Sequence, residues 1–506
     1  MDSPDALRSG EESALAALAA EADADRRRRR VGLAAVLMLA FVVRIGWVGL
    51  AALDPSDGEY YDMVFYHVTA HRLLAGDGYT RLDGTPTAVW PPLYPIFLAG
   101  VYALSDGSLT AGRLANPFLG ILATFFTYGI ARRIAGYRVG LLAALLFAAC
   151  PDDVFFSNFV MSESAFSAVF TGAVWLFVRL EQQPPSLPWL GWLGFGAALG
   201  LASLTRGIAL AWLAVPVVVW WAANRSLADM ARKTALASLG LACVLAPWTI
   251  RNAIQMDAMI PVATSLGRTL AHAHSPYQTG GSSLRGVIYW RNIANRFEQL
   301  PQPRREVVKN QVLTRMSLQY MWNHPGHELR ILPNRFLHLF RHGHVGLDIG
   351  RPKQEAGGRK PFFSASWHRL IAGVADAYFY VLLAAGMLGL VGWVRAGGAL
   401  AWLVPLSLGY FTFFHVILFP DDPRYHLPML PFLAISAASL MLGDGRGRFG
   451  RSRPEPQGPA AKASSQAEES DASTGAERRS RELTRGARRL RLHAAISARA
   501  GVSGRW

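Results

Sequence analysis

About ten apolar runs, each of roughly 16 to 24 residues, divide this chain, and a run of about 20 suffices to cross a bilayer as a helix. They fall at residues 31–53 (interrupted only by Arg44), 109–130, 139–156, 160–180, 189–204, 208–223, 234–250, 371–394, 399–419 and 427–442. Lipid offers backbone groups no hydrogen-bond partner, so each run must satisfy its own amides as a helix. The expected fold is therefore an all-α polytopic membrane protein with about ten or more transmembrane helices.

Charge sets the orientation. Loops on the cytoplasmic side are enriched in Lys and Arg. Arg26–Arg30 precedes the first run, and alternation from there puts Arg132, Arg133, Arg138, Arg225, Arg232, Lys233 and the Arg-rich tail on the same side. The net charge of +16 needs no nucleic-acid partner, because a basic tail beside an anionic leaflet accounts for it. The first run is too long for a cleaved signal and no cleavage site follows it. Cys150 and Cys243 lie in apolar runs and offer neither metal spacing nor a disulfide framework.

The expected organisation has a disordered cytoplasmic segment (1–30) and a first transmembrane module (31–250) that includes an outer loop (54–108). An extracytoplasmic segment (251–370), further spans (371–442) and a basic disordered cytoplasmic tail (443–506) follow. Helical spacing in 63–75 and the short apolar run 92–104 predict two interfacial helices. Two amphipathic helices are expected at 304–323 and 326–341, separated by the breaker Asn323-His324-Pro325-Gly326. Residues 280–283 and 351–360 read as mobile loops.

Topology gathers the polar motifs at one face. Asp57, Glu59 and Asp62 fall in the first outer loop. Asp152, Asp153, Ser162 and Glu163 fall at the turn between the third and fourth runs. Thr205-Arg206-Gly207, Arg251-Asn252 and Asp421 through His426 cap later runs on that same side. A carboxylate can act as general base toward a hydroxyl, and arginines grip phosphate by charge-assisted, often bidentate bonds. Both together at a lipid–water boundary suit transfer of a group carried on a lipid phosphate. Tyr79, Trp90 and Tyr94 could pack on a sugar or an isoprenoid, and His67 and His426 could meet phosphate or sugar. Plainer readings stand beside these. Asp62 could cap the helix after it, Glu163 could be a buried structural group, and Arg206, Arg251 and Arg424 could anchor helix ends at headgroups. Arg44 could pair with a neighbouring helix. The histidines of the outer segment show no zinc-ligand arrangement, while Asp152 and Asp153 with Glu163 leave room for a divalent cation.

The pattern Asp62-x-x-x-Tyr66-His67, Leu74-x-Gly76-x-Gly78-Tyr79, Pro86-Thr87 and Pro91-Pro92-Leu93-Tyr94-Pro95 resembles the first outer loop of GT-C membrane glycosyltransferases. The similar group is the bacterial one related to protein O-mannosyltransferases and the lipid A aminoarabinose transferase (glycosyltransferase family 39). Ser162-Glu163, Leu204-Thr205-Arg206, Pro247-Trp248-Thr249-Ile250-Arg251-Asn252, Pro261-Val262-x-Thr264 and Arg424-Tyr425-His426-Leu427-Pro428 extend the resemblance, in order, over about residues 31–442. The resemblance implies a polyprenyl-phosphate-sugar donor, an inverting single displacement, Asp62 as base and Glu163 at the second acidic position. Tyr66, His67, Trp90, Tyr94, Arg206, Arg251, Arg424 and Tyr425 are the candidate substrate-binding residues, with a lipid, protein or polysaccharide acceptor expected outside a bacterial-type plasma membrane. Trp90 stands where the aminoarabinose transferases have Lys, and Met63 follows Asp62 where protein mannosyltransferases have an Asp-Glu pair. A transporter or flippase for a lipid-linked or anionic substrate is the alternative of another class, and a membrane assembly factor a third. Against transport, the charges cluster at one face and no inverted repeat is evident.

Overall fold

The computed structural model describes residues 4–51, 61–281, 283–349, 363–418 and 422–443. Asp57, Glu59, Asp421, the 351–360 loop and nearly all of the tail from 443 lie outside the described residues. Two compact units are resolved by contact, residues 1–27 with 451–506 and residues 28–450. Of the first unit only helical residues 4–27 are described, with an Arg26–Asp23 ion pair one turn apart. The rest concerns the second unit.

The described chain is helical, without a strand. In order come α1 (Pro4–Leu50), α2 (Tyr61–Leu74), α3 (Leu93–Ala103), α4 (Leu109–Ala135), α5 (Tyr137–Ala148), α6 (Pro151–Phe156), α7 (Glu163–Gln182), α8 (Pro188–Thr205), α9 (Ala214–Ala222) and α10 (Leu227–Met256). After these follow α11 (Leu266–Ala273), α12 (Leu284–Asn295), α13 (Arg304–Asn323), α14 (Pro325–Leu339), α15 (Val345–Ile349), α16 (Ala365–Ala396), α17 (Leu403–Phe413) and α18 (Leu430–Met441). Serine starts three of the long helices: Ser108, Ser226 and Ser364 each accept an N–H of the first turn of α4, α10 and α16.

Among the described residues, six helices are long and apolar enough to cross a membrane: Ala20–Leu50, α4, α7, α10, α16 and the continuous stretch Ala399–Leu418. The other expected runs are also helical, but shorter or interrupted. Pro151 separates α5 from α6, Gly207 opens a 3-10 turn (Gly207–Leu213) before α9, and Pro423–Met429 is a 3-10 segment before α18. Pro151, Pro423 and Pro428 lack the N–H a continuous α-helix needs, and Gly207 marks a further break, so the ten apolar runs do not become ten long helices. The two helices expected at 63–75 and 92–104 appear as α2 and α3, and those expected at 304–323 and 326–341 as α13 and α14. Helices α11, α12 and α15 lie in stretches where no helix was expected.

Burial orders the bundle. In α7, 72% of the most apolar window is buried, against 22% in α1 and 28% in α10 and α16. α7 is thus central, while the outer helices present Leu239, Ile254, Val374 and Leu388 as the lipid-facing apolar surface a spanning helix carries. Phe170 organises the centre: it stacks on Phe166 and meets Trp212, Phe411 and Phe432 edge-on, joining α7 to the 3-10 turn, α17 and α18. α8 and α10 pack along a seam where Gly196 faces the Ala237 carbonyl and Gly240 faces the Leu193 carbonyl. A methyl group on either glycine would collide with backbone, so only glycine lets the two helices approach this closely.

Candidate functional site

Helix ends deliver the charges. Glu163 is the first residue of α7, and Arg206 caps the C-terminus of α8 in an extended conformation. An acid at an N-terminus and a base at a C-terminus each suit the helix dipole, so both positions favour the ionised side chain. Asp62 occupies the first turn of α2. Asp422 caps the 3-10 segment Pro423–Met429, and Arg424 is that segment's second residue.

These five side chains meet. Arg206 Nη1 lies 2.7 Å from Glu163 Oε1, and Arg424 Nη1 approaches the same oxygen at 3.5 Å. Arg424 Nη2 donates to Asp62 Oδ2 at 3.1 Å, while its Nε is 2.8 Å from Asp422 Oδ2. Asp422 also accepts the Arg424 backbone N–H, so one carboxylate holds both ends of the arginine. The Arg424 side chain is 11% exposed and that of Glu163 6%. Burial works against the Arg424 charge, yet Asp422, Glu163 and Asp62 together hold its guanidinium well above the ordinary arginine value.

Two features fit this cluster to a ligand. Three carboxylates and two guanidiniums leave acceptor capacity, and Glu163 Oε2 is buried with no hydrogen-bond partner among the described residues. A buried acceptor left open is costly unless a hydroxyl or another donor completes it. Aromatic rings line the arginines. The Arg206 and Arg424 guanidiniums lie 5.8 and 5.9 Å from the Tyr425 ring centre, which in turn stacks on His415 at 4.9 Å. His415 sits in a π turn, Phe414–Leu418, whose extra residue per turn rotates it toward Tyr425.

The first loop supplies the wall. Gly76 and Gly78 take φ of 84° and 76°, the left-handed region that favours glycine, and turn the chain back so that Tyr79 packs on Phe65 of α2. Tyr66 donates to Ser162 Oγ at 3.3 Å and packs edge-on against Tyr94 at 5.1 Å, with Trp90 at 6.5 Å. Burial, reinforced by the nearby Asp62 charge, raises the Tyr66 phenol far above its usual value, so it stays a neutral hydroxyl. Tyr94 donates to Asn116.

Other candidates are placed differently. Arg251 gives its hydrogens to the carbonyls of Thr87 (2.8 Å) and Tyr79 and to Asn252, and lies over the Tyr79 and Trp248 rings. It staples the first loop to α10. Glu306 of α13 grips that loop from the other side, bonding Arg81, the Thr87 hydroxyl and the Ala88 N–H, together with Thr264. His67 pairs with the Tyr102 hydroxyl at 2.7 Å, on α3. Arg44 is fully buried and bonds Asp153 at 2.5 Å and the Ala148 carbonyl. Asp152 bonds His426, so the structure turns both members of the Asp152-Asp153 pair to partners other than a cation shared with Glu163. The sequence reading placed Asp422 at the right turn without giving it a role, and it missed His415. The spacing Phe411–His415, one helical turn, was the only available sign of the latter.

The family model described as dolichyl-phosphate-mannose-protein mannosyltransferase matches residues 89–250. Solved structures resemble the chain more distantly. The archaeal oligosaccharyltransferase AglB from Archaeoglobus fulgidus, in complex with an inhibitory peptide and a dolichol-phosphate, is 14% identical with a TM-score of 0.46, over 81% of this chain and 50% of that one. ArnT from Cupriavidus metallidurans bound to undecaprenyl phosphate is 16% identical with a TM-score of 0.43, over 82% and 77%. The Pmt1–Pmt2 protein O-mannosyltransferase complex of S. cerevisiae bound to its sugar donor is 19% identical with a TM-score of 0.36, over 49% and 36%. The chain thus spans about half the length of the archaeal protein it resembles. No curated protein matches it by sequence. The family match covers under half of the chain and is a resemblance to that mannosyltransferase family.

Proposed function

We propose that this multi-pass membrane protein moves a sugar from a polyprenyl-phosphate-linked donor to a hydroxyl of a lipid, protein or polysaccharide acceptor. The site faces the extracytoplasmic side of a bacterial-type plasma membrane, as the Arg-rich loops opposite it favour. The observation that carries the reading is the convergence of Arg206 and Arg424 on Glu163, with Asp62 on the far side of Arg424.

Each residue has a part in an inverting displacement. Arg206 and Arg424 bind the donor phosphate, which competes with the carboxylates for their hydrogens. As Arg424 passes from Asp62 to the phosphate, Asp62 is left free beside the acceptor. The acceptor oxygen then forms its bond to the anomeric carbon while the carbon–phosphate oxygen bond breaks. The acceptor proton goes to Asp62, and the electron pair leaves with the lipid phosphate, whose growing charge the two guanidiniums stabilise. Glu163 Oε2 accepts a sugar hydroxyl, and Tyr66, Trp90 and Tyr425 shape the sugar pocket. Asp62 is therefore unmasked only when donor is present.

The test is transfer by the purified full chain in detergent, supplied with a radiolabelled polyprenyl-phosphate sugar and an acceptor extract. Release of polyprenyl phosphate with label on the acceptor supports the reading. A transporter needs two compartments and would convert nothing, and that result would overturn it. Comparative glycan and glycolipid mass spectrometry of a deletion strain would name the sugar and its acceptor.

A further inference from the structure

Beneath the arginine cluster lies a second polar contact that the proposed chemistry does not use. His426 and Asp152 are 0% and 1% exposed, and His426 Nε2 lies 3.0 Å from Asp152 Oδ2. His426 Nδ1 faces the Leu339 carbonyl at 3.3 Å. A carbonyl can only accept, so Nδ1 carries a hydrogen and the ring is fixed by both nitrogens. Asp152 spends its other oxygen on the Gly346 N–H at 3.0 Å. Phe379 of α16 covers the imidazole at 4.6 Å between ring centres. One histidine–aspartate pair thereby joins α6, the end of α14, α15 and the 3-10 segment that carries Arg424.

The geometry of that segment gives the pair its significance. Successive residues of a 3-10 helix are about 120° apart, so residues two positions apart point to different sides. His426 points into the core as Arg424 points to the carboxylates. From the other end, Asp422 holds only the start of the segment. We propose that Asp152 and His426 are positioning residues for Arg424: they lock the rotation of the 3-10 segment and so set where the guanidinium meets Asp62, Glu163 and the donor phosphate. They also tie that setting to α14 and α15, so the outer helices and the phosphate-binding arginine are held as one body. This rests on the proposed phosphate-binding role of Arg424 but concerns residues that touch neither donor nor acceptor.

Two measurements on the full chain in detergent test it. Hydrogen exchange of the amides of residues 422–430 reads the lock without any substrate. Asp152→Asn and His426→Gln, which approximate the native side-chain size, should each speed exchange there by roughly tenfold or more, the loss expected for a buried charge-assisted bond. Unchanged exchange in both would overturn the inference. A double-mutant cycle on transfer then asks whether the pair acts through Arg424. His426→Gln should lower turnover by up to roughly 10²-fold with Arg424 present, as about 1 Å of misplacement can. In an Arg424→Lys background it should cost less than about twofold. Losses that simply multiply would show a general structural role and sink the proposal. Absence of transfer by the unmodified protein would remove the glycosyltransferase reading alone, leaving the exchange measurement to decide the lock.

Discussion

Replacing Asp62 by Asn separates chemistry from architecture, because the structure lets both losses be sized. Asp62 is 16% exposed in its side chain and makes one described ion pair, to Arg424 Nη2 at 3.1 Å. Arg424 keeps Asp422 and Glu163 when that partner becomes neutral. The structural loss is thus one charge-assisted hydrogen bond, about 1.5–3 kcal/mol at most. General-base catalysis is worth about 10²–10⁴-fold, or about 2.7–5.4 kcal/mol at 1.36 kcal/mol per decade. Turnover should therefore collapse in a protein that still inserts and folds. Donor affinity should move the other way: a guanidinium relieved of Asp62 is more available to phosphate, so donor KM should stay level or fall. The assay is single-turnover transfer alongside direct binding of a polyprenyl phosphate to wild type and Asp62→Asn in detergent. Near-normal turnover would pass the base role elsewhere, with Glu163 next in line. Donor binding lost in parallel with turnover would show Asp62 to be a support for Arg424 and refute the unmasking argument.

Arg206→Ala and Arg424→Ala should each weaken polyprenyl phosphate binding more than acceptor binding, with Lys restoring only part of it because the planar fork is lost. Unchanged donor affinity in both would reassign these residues to scaffolding. Arg251→Ala should lower the melting temperature while leaving donor KM within about twofold, since its hydrogens serve loop carbonyls; a large rise in KM would contradict that placement. His344, bonded to Asp348 and Asp376, has its pKa raised from 6.5 to about 9. Its stabilising contribution is fully present below the unfolded value of about 6.5 and is lost as pH rises through about 9. His344→Gln should accordingly lower the melting temperature at pH 6 and have little effect above pH 9.5, and a penalty independent of pH would exclude the ionic account. Cysteines placed at positions 56 and 282 should react with an impermeant reagent from outside the cell and one at 226 should not; the reverse pattern would move the site to the cytoplasm.

Much of the architecture is legible in the sequence because lipid imposes a simple rule on apolar runs. In their described residues the ten runs are mostly helical, and the Asn323-His324-Pro325-Gly326 breaker separates α13 from α14 as its chemistry requires. Span length is less legible, since prolines at 151 and 428 fall inside apolar stretches and composition does not reveal how the backbone answers them. The site is legible in a particular sense. Topology alone puts Asp62, Glu163, Arg206 and Arg424 at one face, and the structure brings those four into contact. What stays hidden is who holds whom. Arg251 reads like a third phosphate ligand until its carbonyl partners, 164 and 172 positions away, are seen. Asp152 and His426 are 274 positions apart and Arg44 and Asp153 are 109 apart. Such pairings depend on helix packing, and no local pattern encodes them.

The glycine seam between α8 and α10 has a mechanical consequence. Where two backbones touch at Gly196 and Gly240 the contact is close-packed and barely compressible, so the pair transmits a push as a single beam. That beam ends in Arg206, on Glu163, and carries Arg251, on the first loop. A lipid tail wedging against α8 or α10 would therefore displace a guanidinium of the reaction centre and the wall opposite it in the same stroke, in fixed proportion. Larger residues at Gly196 or Gly240 would split the beam, and the two ends of the cleft would then answer such a push independently.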